Sequence, residues 1–291
     1  MANEEASVFE AGGERLLGIL HAPPRPAARG VLLVVGGPQY RVGSHRQFLL
    51  LARYLAAHGV PVFRFDYRGM GDSGGPRCSF EEVEEDIRAA ADAFQAAAPE
   101  VRRVVIWGLC DAASAALLYA WRDPRVDGLI LLNPWVRTDE GLAKAHLKHY
   151  YLRRLTSRGF WRDLATGRFR PVHSVVGLSR TVMRAVGAGR ERRPVEGAPA
   201  PEPPASGRPL PARMAEGWRQ FDGSILVILS GNDLTAAEFQ DTADRSPYWR
   251  RLLNQRRVSR RELPEANHTF SRQAWRDQVA RWTLEWIVET Q

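Results

Sequence analysis

The stretch Val104-Val105-Ile106-Trp107-Gly108-Leu109-Cys110-Asp111-Ala112-Ala113 constrains the fold more than any other part of the 291-residue chain. A β-branched apolar run ends at a glycine, a cysteine follows two residues later, and then small residues of helical character begin. Strand, sharp turn and helix in that order form a nucleophile elbow, with Gly-x-Cys-x-Ala in place of the more usual Gly-x-Ser-x-Gly. The elbow strains its central residue, so the flanking positions must be small, as Gly108 and Ala112 are. Cys110 would stand at the top of a sheet against a helix N-terminus, whose partial positive charge favours a thiolate. Asp111 pulls the other way, because a neighbouring carboxylate disfavours a second negative charge. A buried structural cysteine behind a core strand is the alternative reading of the same residues.

Such an elbow predicts an acid after a later strand and a histidine near the C-terminus. Residues 224–229 read as a strand, and Ser230-Gly231-Asn232-Asp233 as a turn that leaves Asp233 at its carboxyl end. Residues 258–263 read as a short strand and Pro264-Glu265-Ala266-Asn267-His268-Thr269-Phe270 as a loop carrying His268. A terminal amphipathic helix follows through Trp275, Val279, Trp282, Leu284 and Ile287. Cys110, Asp233 and His268 are therefore the expected catalytic set. Taken singly, Asp233 reads equally well as a turn or cap residue and His268 as a solvated loop residue. The elbow supplies one oxyanion donor, the Asp111 N–H; the loop at 34–46, after the first buried strand, should supply the second. Pro38 has no N–H, which leaves Gly37, where no side chain obstructs a substrate, or Gln39 as the alternative. His45 and Arg46 fit either a cap on the next helix or the pocket wall.

Further strands are expected at 7–9 and 14–20 (a hairpin around Gly12-Gly13), 31–35, 62–65 and 126–132, and helices at 46–58, 80–97 and 112–121. Strands alternating with helices suit a mostly parallel sheet with crossover helices on both faces. Gly71-Asp72-Ser73-Gly74-Gly75-Pro76 reproduces the run around the nucleophile of trypsin-like proteases, and Ala56-Ala57-His58 its histidine segment. That chemistry needs two β-barrels with a serine late in the chain, and the alternating strands and helices exclude it. Phe65-Asp66-Tyr67-Arg68-Gly69-Met70-Gly71-Asp72-Ser73-Gly74 instead fits Asp-x-Arg-Gly-x-Gly-x-Ser, a tight turn after a buried strand.

Between Asn133-Pro134 and the strand at 224 lies more chain than a loop needs. Residues 137–222 carry 17 Lys and Arg against 8 Asp and Glu, a net +9, which accounts for all of the chain's net +8. Residues 137–186 mix arginines with Tyr150, Tyr151, Leu155, Phe160, Trp161 and Phe169 and read as a helical cap. Residues 187–213, rich in Gly, Pro and Arg, are expected to be disordered, with 214–222 returning to a core formed by 1–136 and 223–291. A basic cap suits an anionic or amphiphilic substrate or an anionic membrane surface; solubilising arginine is the plainer account. No nucleic-acid motif accompanies the charge. The acidic N-terminus carries no signal peptide, no run reaches membrane-span length, and two cysteines suit a reducing cytosol, so a cytoplasmic location is expected. His146 and His149 lack partners at metal spacing and read as a solvated helix face.

Together these segments resemble the α/β-hydrolase superfamily: a mostly parallel sheet flanked by helices, with a helical cap insertion. More narrowly, Gly36-Gly37-Pro38-Gln39-Tyr40-Arg41-Val42-Gly43-Ser44-His45-Arg46-Gln47-Phe48, with the segments 65–73 and 108–112, is similar to the exosortase A system-associated hydrolases. That resemblance implies a cytoplasmic hydrolase linked to bacterial exopolysaccharide production or export, with Cys110 as nucleophile, Asp233 as acid and His268 as base. The expected reaction is cleavage of an ester or thioester, on a small-molecule or saccharide-linked acyl substrate, through an acyl-enzyme. Acyl transfer by the same triad and a non-catalytic binding role are the alternatives. No metal or redox cofactor is implied.

Overall fold

The computed structural model describes residues 3–37, 39–136 and 207–290. The chain divides into two compact units, Met1–Arg137 with Leu210–Gln291, and Thr138–Pro209. The expected cap at 137–186, with His146 and His149, and the expected disordered stretch up to 206 lie outside the described residues.

The first unit is built on strands β1 (Asn3–Ala11), β2 (Glu14–Ala22), β3 (Arg29–Val34), β4 (Val62–Phe65), β5 (Arg103–Leu109), β6 (Val126–Leu132), β7 (Ser224–Asn232) and β8 (Val258–Asn267). Its helices are α1 (Gln47–Ala57), α2 (Glu84–Ala97), α3 (Asp111–Tyr119), α4 (Leu210–Gln220), α5 (Leu234–Arg245), α6 (Pro247–Leu253) and α7 (Gln273–Glu289). The strands form one sheet in the order β1-β2-β4-β3-β5-β6-β7-β8. The β1–β2 hairpin and the β2–β4 pair are antiparallel, and every pair from β4 to β8 is parallel.

Both faces of the central strands are buried, which is why their sequences are apolar without alternation. The period of two instead sorts their residues between two cores. Leu32 and Val34 of β3 and Val104 and Ile106 of β5 join α2, α3, α4, α5 and α6 on one face. Val31 and Leu33, with Val105, Trp107 and Leu109, join Phe48, Leu51 and Leu55 of α1 and Val279, Trp286 and Ile287 of α7 on the other. Each fully buried Leu or Phe in these layers contributes about 1.5–3 kcal/mol relative to exposure.

Several boundaries differ from the sequence reading, beginning with the first strand, which runs over Asn3–Ala11 where 7–9 was expected. Helix α4 opens at Leu210, inside the stretch expected to be disordered to Arg213, because Leu210, Met214, Ala215 and Trp218 pack into the first core. The helix expected at 80–97 begins at Glu84, with Glu84, Glu85 and Asp86 in its first turn against the helix dipole. Strand β8 continues past 263 to Asn267, held by pairing with β7 up to Asn232↔Asn267. No helix among the described residues is long and apolar enough to cross a membrane.

The loop after β4 is a structural brace. Asp66, fully buried, accepts the Arg41 N–H at 2.5 Å and the Asp72 N–H at 3.2 Å, and the Arg41 guanidinium pairs with it and with Asp72. Ser73 Oγ donates to the Asp66 carbonyl at 2.6 Å and accepts the Leu17 N–H at 2.9 Å. The serine of the protease-like run is thus a tie between this loop and β2.

Candidate active site

Cys110 connects β5 to α3 with φ 65° and ψ −124°, a left-handed conformation that costs a non-glycine residue energy and persists only where its surroundings enforce it. Here its N–H donates to the Leu132 carbonyl at 2.9 Å, and its own carbonyl accepts from Ala113 at 3.1 Å and from Trp135 at 3.2 Å. Gly108 permits the tight turn: a Cβ there would lie 2.7 Å from the Ala112 carbonyl group and 2.8 Å from the Ala113 nitrogen. Strand and helix backbones could not then approach so closely. Neither Cys78 nor Cys110 forms a disulfide.

Asp233 and His268 meet because the β7–β8 register shifts at its end, from Ser230↔Leu263 to Asn232↔Asn267. Asn232 pairs with Asn267, so the next residue on each chain, Asp233 and His268, leave the sheet side by side. His268 Nδ1 lies 2.9 Å from Asp233 Oδ2. A carboxylate only accepts, so Nδ1–H is the donor and Nε2 keeps its lone pair. Asp233 is also the N-cap of α5, its carboxylate accepting from Thr235 at 3.2 Å and Ala236 at 3.0 Å. Asp233 thus caps α5 and hydrogen-bonds His268 at the same time. Its side chain is 7% exposed and that of His268 32%, which leaves the ring accessible from outside.

Asn133 was not singled out by the sequence reading and proves to be the joint of this end of the sheet. It is fully buried with φ 44°. Its amide nitrogen donates to Ser230 Oγ at 2.8 Å and to the His268 carbonyl at 3.1 Å, while its oxygen accepts the Ser230 N–H at 2.9 Å. One side chain therefore ties β6, β7 and the histidine segment together. The available signal was a polar residue closing an apolar strand, which marks a buried network when it is not a turn.

Of the expected oxyanion donors, Gly37 is engaged by the Asp111 side chain, which also takes an N–H from Ala112, a residue outside the expected set. The Gly37 N–H donates to Asp111 Oδ2 at 2.8 Å, and the Ala112 N–H to Oδ1 at 2.9 Å. Burial pushes the Asp111 carboxyl pKa up, while the amides of Gly37, Ala112 and Asp111 itself, and nearby His268, pull it back. Gln39 uses its side chain to accept the Ser44 N–H at 2.9 Å, closing the loop on itself. His45 (φ 53°) and Arg46 (φ 60°) are left-handed, and Arg46 stands at the N-cap of α1 with no side-chain cap bond. That fits a turn into the helix.

Residues 26–167 match the family model described as serine aminopeptidase, S33. A search of curated protein sequences finds no match. Among solved structures, the esterase Pf2001 of Pyrococcus furiosus is similar over 99% of this chain and 93% of its own, with TM-score 0.65 and 13% identity. Est1E of Butyrivibrio proteoclasticus, solved with ferulic acid, is similar over 98% and 99%, with TM-score 0.61 and 14% identity. An α-β serine hydrolase homologue from Coxiella burnetii is similar over 98% and 97%, with TM-score 0.57 and 14% identity. Strand order, elbow and whole-chain similarity agree: the chain has the α/β-hydrolase fold.

Proposed function

We propose that the protein is a hydrolase that cleaves an ester or thioester through Cys110, His268 and Asp233. The observation that carries this reading is the Asp233–His268 hydrogen bond of 2.9 Å, formed at the carboxyl ends of β7 and β8, the same end of the parallel sheet at which β5 gives way to a cysteine held at φ 65°. His268 Nε2 takes the thiol proton, and the thiolate adds to the acyl carbonyl carbon. The leaving alcohol or thiol departs with the proton from His268, giving a Cys110 thioester. Water then loses a proton to Nε2, adds to that thioester, and releases the acid while the cysteine regains its proton. Asp233 stabilises the imidazolium in each half-reaction.

The esterase Pf2001 and the ferulic-acid complex of Est1E support carboxylic ester chemistry on this fold, although fold alone does not set a reaction. The similarity to exosortase A system-associated hydrolases supports a cytoplasmic role in exopolysaccharide production or export and supplies no substrate; the basic residues of 137–222 favour an anionic group.

The test is a burst assay with p-nitrophenyl acetate and an acyl-CoA thioester, followed by intact mass. Wild type should gain one acyl group that is absent in Cys110→Ala and strongly reduced in His268→Ala. Rapid loss of the group in water makes the protein a hydrolase; loss only on adding an alcohol makes it an acyltransferase. No adduct and no turnover, in folded proteins, would overturn the reading in favour of a binding role.

A further inference from the structure

The Asp111 carboxylate accepts the N–H of Gly37, the group the sequence reading expects to hold an acyl oxyanion. It is the first residue of α3, directly after Cys110, and it accepts N–H groups from two separate segments, Gly37 at 2.8 Å and Ala112 at 2.9 Å. The space around it is shaped to fit. Gly36 has no positive φ, yet a Cβ there would come within 2.1 Å of Asp111 Oδ1, as well as 2.7 Å of the Leu109 carbonyl and 2.9 Å of the Ala112 nitrogen. A side chain at 36 would thus collide with the carboxylate and with the elbow backbone. The titratable groups that face Asp111 are His268 and the buried Tyr67, and among the described residues no arginine or lysine forms a salt bridge with it.

We propose that Asp111 is a self-inhibitory residue whose carboxylate fills the oxyanion pocket at rest, so that acylation of Cys110 requires this side chain to swing out. The inference rests on the acyl chemistry proposed above. A carbonyl oxygen gains a full negative charge as the thiolate adds, and donors aimed at that charge are a leading source of rate. With the carboxylate in place those donors are spent, and its charge opposes the one that must develop. Burial, which pushes the carboxyl pKa up, matches a group whose donors only partly offset the loss of water.

Two measurements separate the pocket from the reaction. In the first, acylation of Cys110 by p-nitrophenyl acetate is compared with its alkylation by iodoacetamide in wild type and Asp111→Ala, with peptide mapping to exclude Cys78. Alkylation displaces iodide at a saturated carbon and uses no oxyanion pocket, so it reports only on the thiol. Asp111→Ala should acylate at least about tenfold faster, with a clearly smaller rise in alkylation, in line with the worth of one oxyanion donor. In the second, ¹⁵N-labelled proteins are titrated with acetate. The Gly37 and Ala112 amide signals should move in Asp111→Ala and stay in wild type.

Equal rises in acylation and alkylation, slower acylation in a folded variant, or silent amides would each overturn the proposal. If neither protein acylates but the variant's amides respond to acetate, the occupied pocket stands and the proposed reaction falls. Should Asp111→Ala fail to fold, Asp111→Asn keeps the shape, removes the charge and should shift both readouts in the same direction by less.

Discussion

At the ends of β5 and β7 the chain makes the same move, from a buried parallel strand into a helix, and each junction carries a carboxylate that accepts two backbone N–H groups. At the β7 junction the carboxylate belongs to the residue just before the helix: Asp233, extended at φ −142°, caps α5 and still reaches His268. At the β5 junction that position is Cys110 at φ 65°, and the carboxylate comes one residue later. Asp111 is thereby turned across to Gly37 of the β3 loop. A shift of one residue separates a carboxylate that hydrogen-bonds a histidine from one that reaches across to a neighbouring loop. Helix N-termini attract both for the same electrostatic reason, so charge alone does not tell them apart.

The sharpest way to break this comparison is to neutralise each carboxylate in turn. Asp233→Asn should lower single-turnover acylation by about 10²–10⁴-fold, the range for loss of an orienting acid. Asparagine still caps a helix, so its melting temperature should hardly move. Asp111→Asn should shift acylation the other way, and changes of the same sign in both variants would erase the distinction.

Asn133 lies between the junctions and sharpens the comparison by coupling them. Asn133→Ala removes three hydrogen bonds and should cost about 3 kcal/mol in urea unfolding, at roughly 1 kcal/mol each. Acylation at equal folded fraction should fall as well, because the His268 carbonyl loses its anchor.

Remote sites give the baseline. His21 on β2 is fully buried with Arg64 Nε 2.8 Å from its Nε2, and Glu4 and Arg53 lie nearby. Burial first, then Arg64, lowers its pKa from 6.5 to about 4. A depressed histidine pKa means that the unfolded chain binds the extra proton. Stability should therefore be intact above pH 6.5 and fall toward pH 4, by an amount on the order of 2 kcal/mol. His21→Gln should flatten that slope in thermal melts, and the slope should be unchanged in Asp111→Asn. Ser73→Ala should leave acylation unaltered while costing about 2 kcal/mol, roughly 1 kcal/mol for each of the two hydrogen bonds that tie Asp66 to Leu17. Loss of acylation there would return the protease-like run to the chemistry.

Much of this frame was legible in the residues. Apolar strands alternating with amphipathic helices implied a parallel sheet, and the Gly108-x-Cys110-x-Ala112 spacing marked the elbow, because both patterns arise from local backbone geometry. Strand length was less legible. Pro264 and the polar residues after it look like a loop, and pairing with β7 carries β8 through them to Asn267. Residues 210–213 look too poor in apolar side chains to order, yet the first core gives Leu210 a place to pack. Asn133 and the Arg41–Asp66 pair drew no notice because their partners are distant in sequence.

Chain order by itself determined the fold, the position of the strained cysteine and the succession of cysteine, acid and histidine, since each follows from period, turn and spacing along the chain. Only the tertiary structure decided that a carboxylate at 111 meets an amide 74 residues earlier, and that a shift of register at the ends of β7 and β8 sets Asp233 beside His268. Those contacts depend on where loops lie in space, and a hydrogen bond formed across the fold leaves no periodic trace in the sequence.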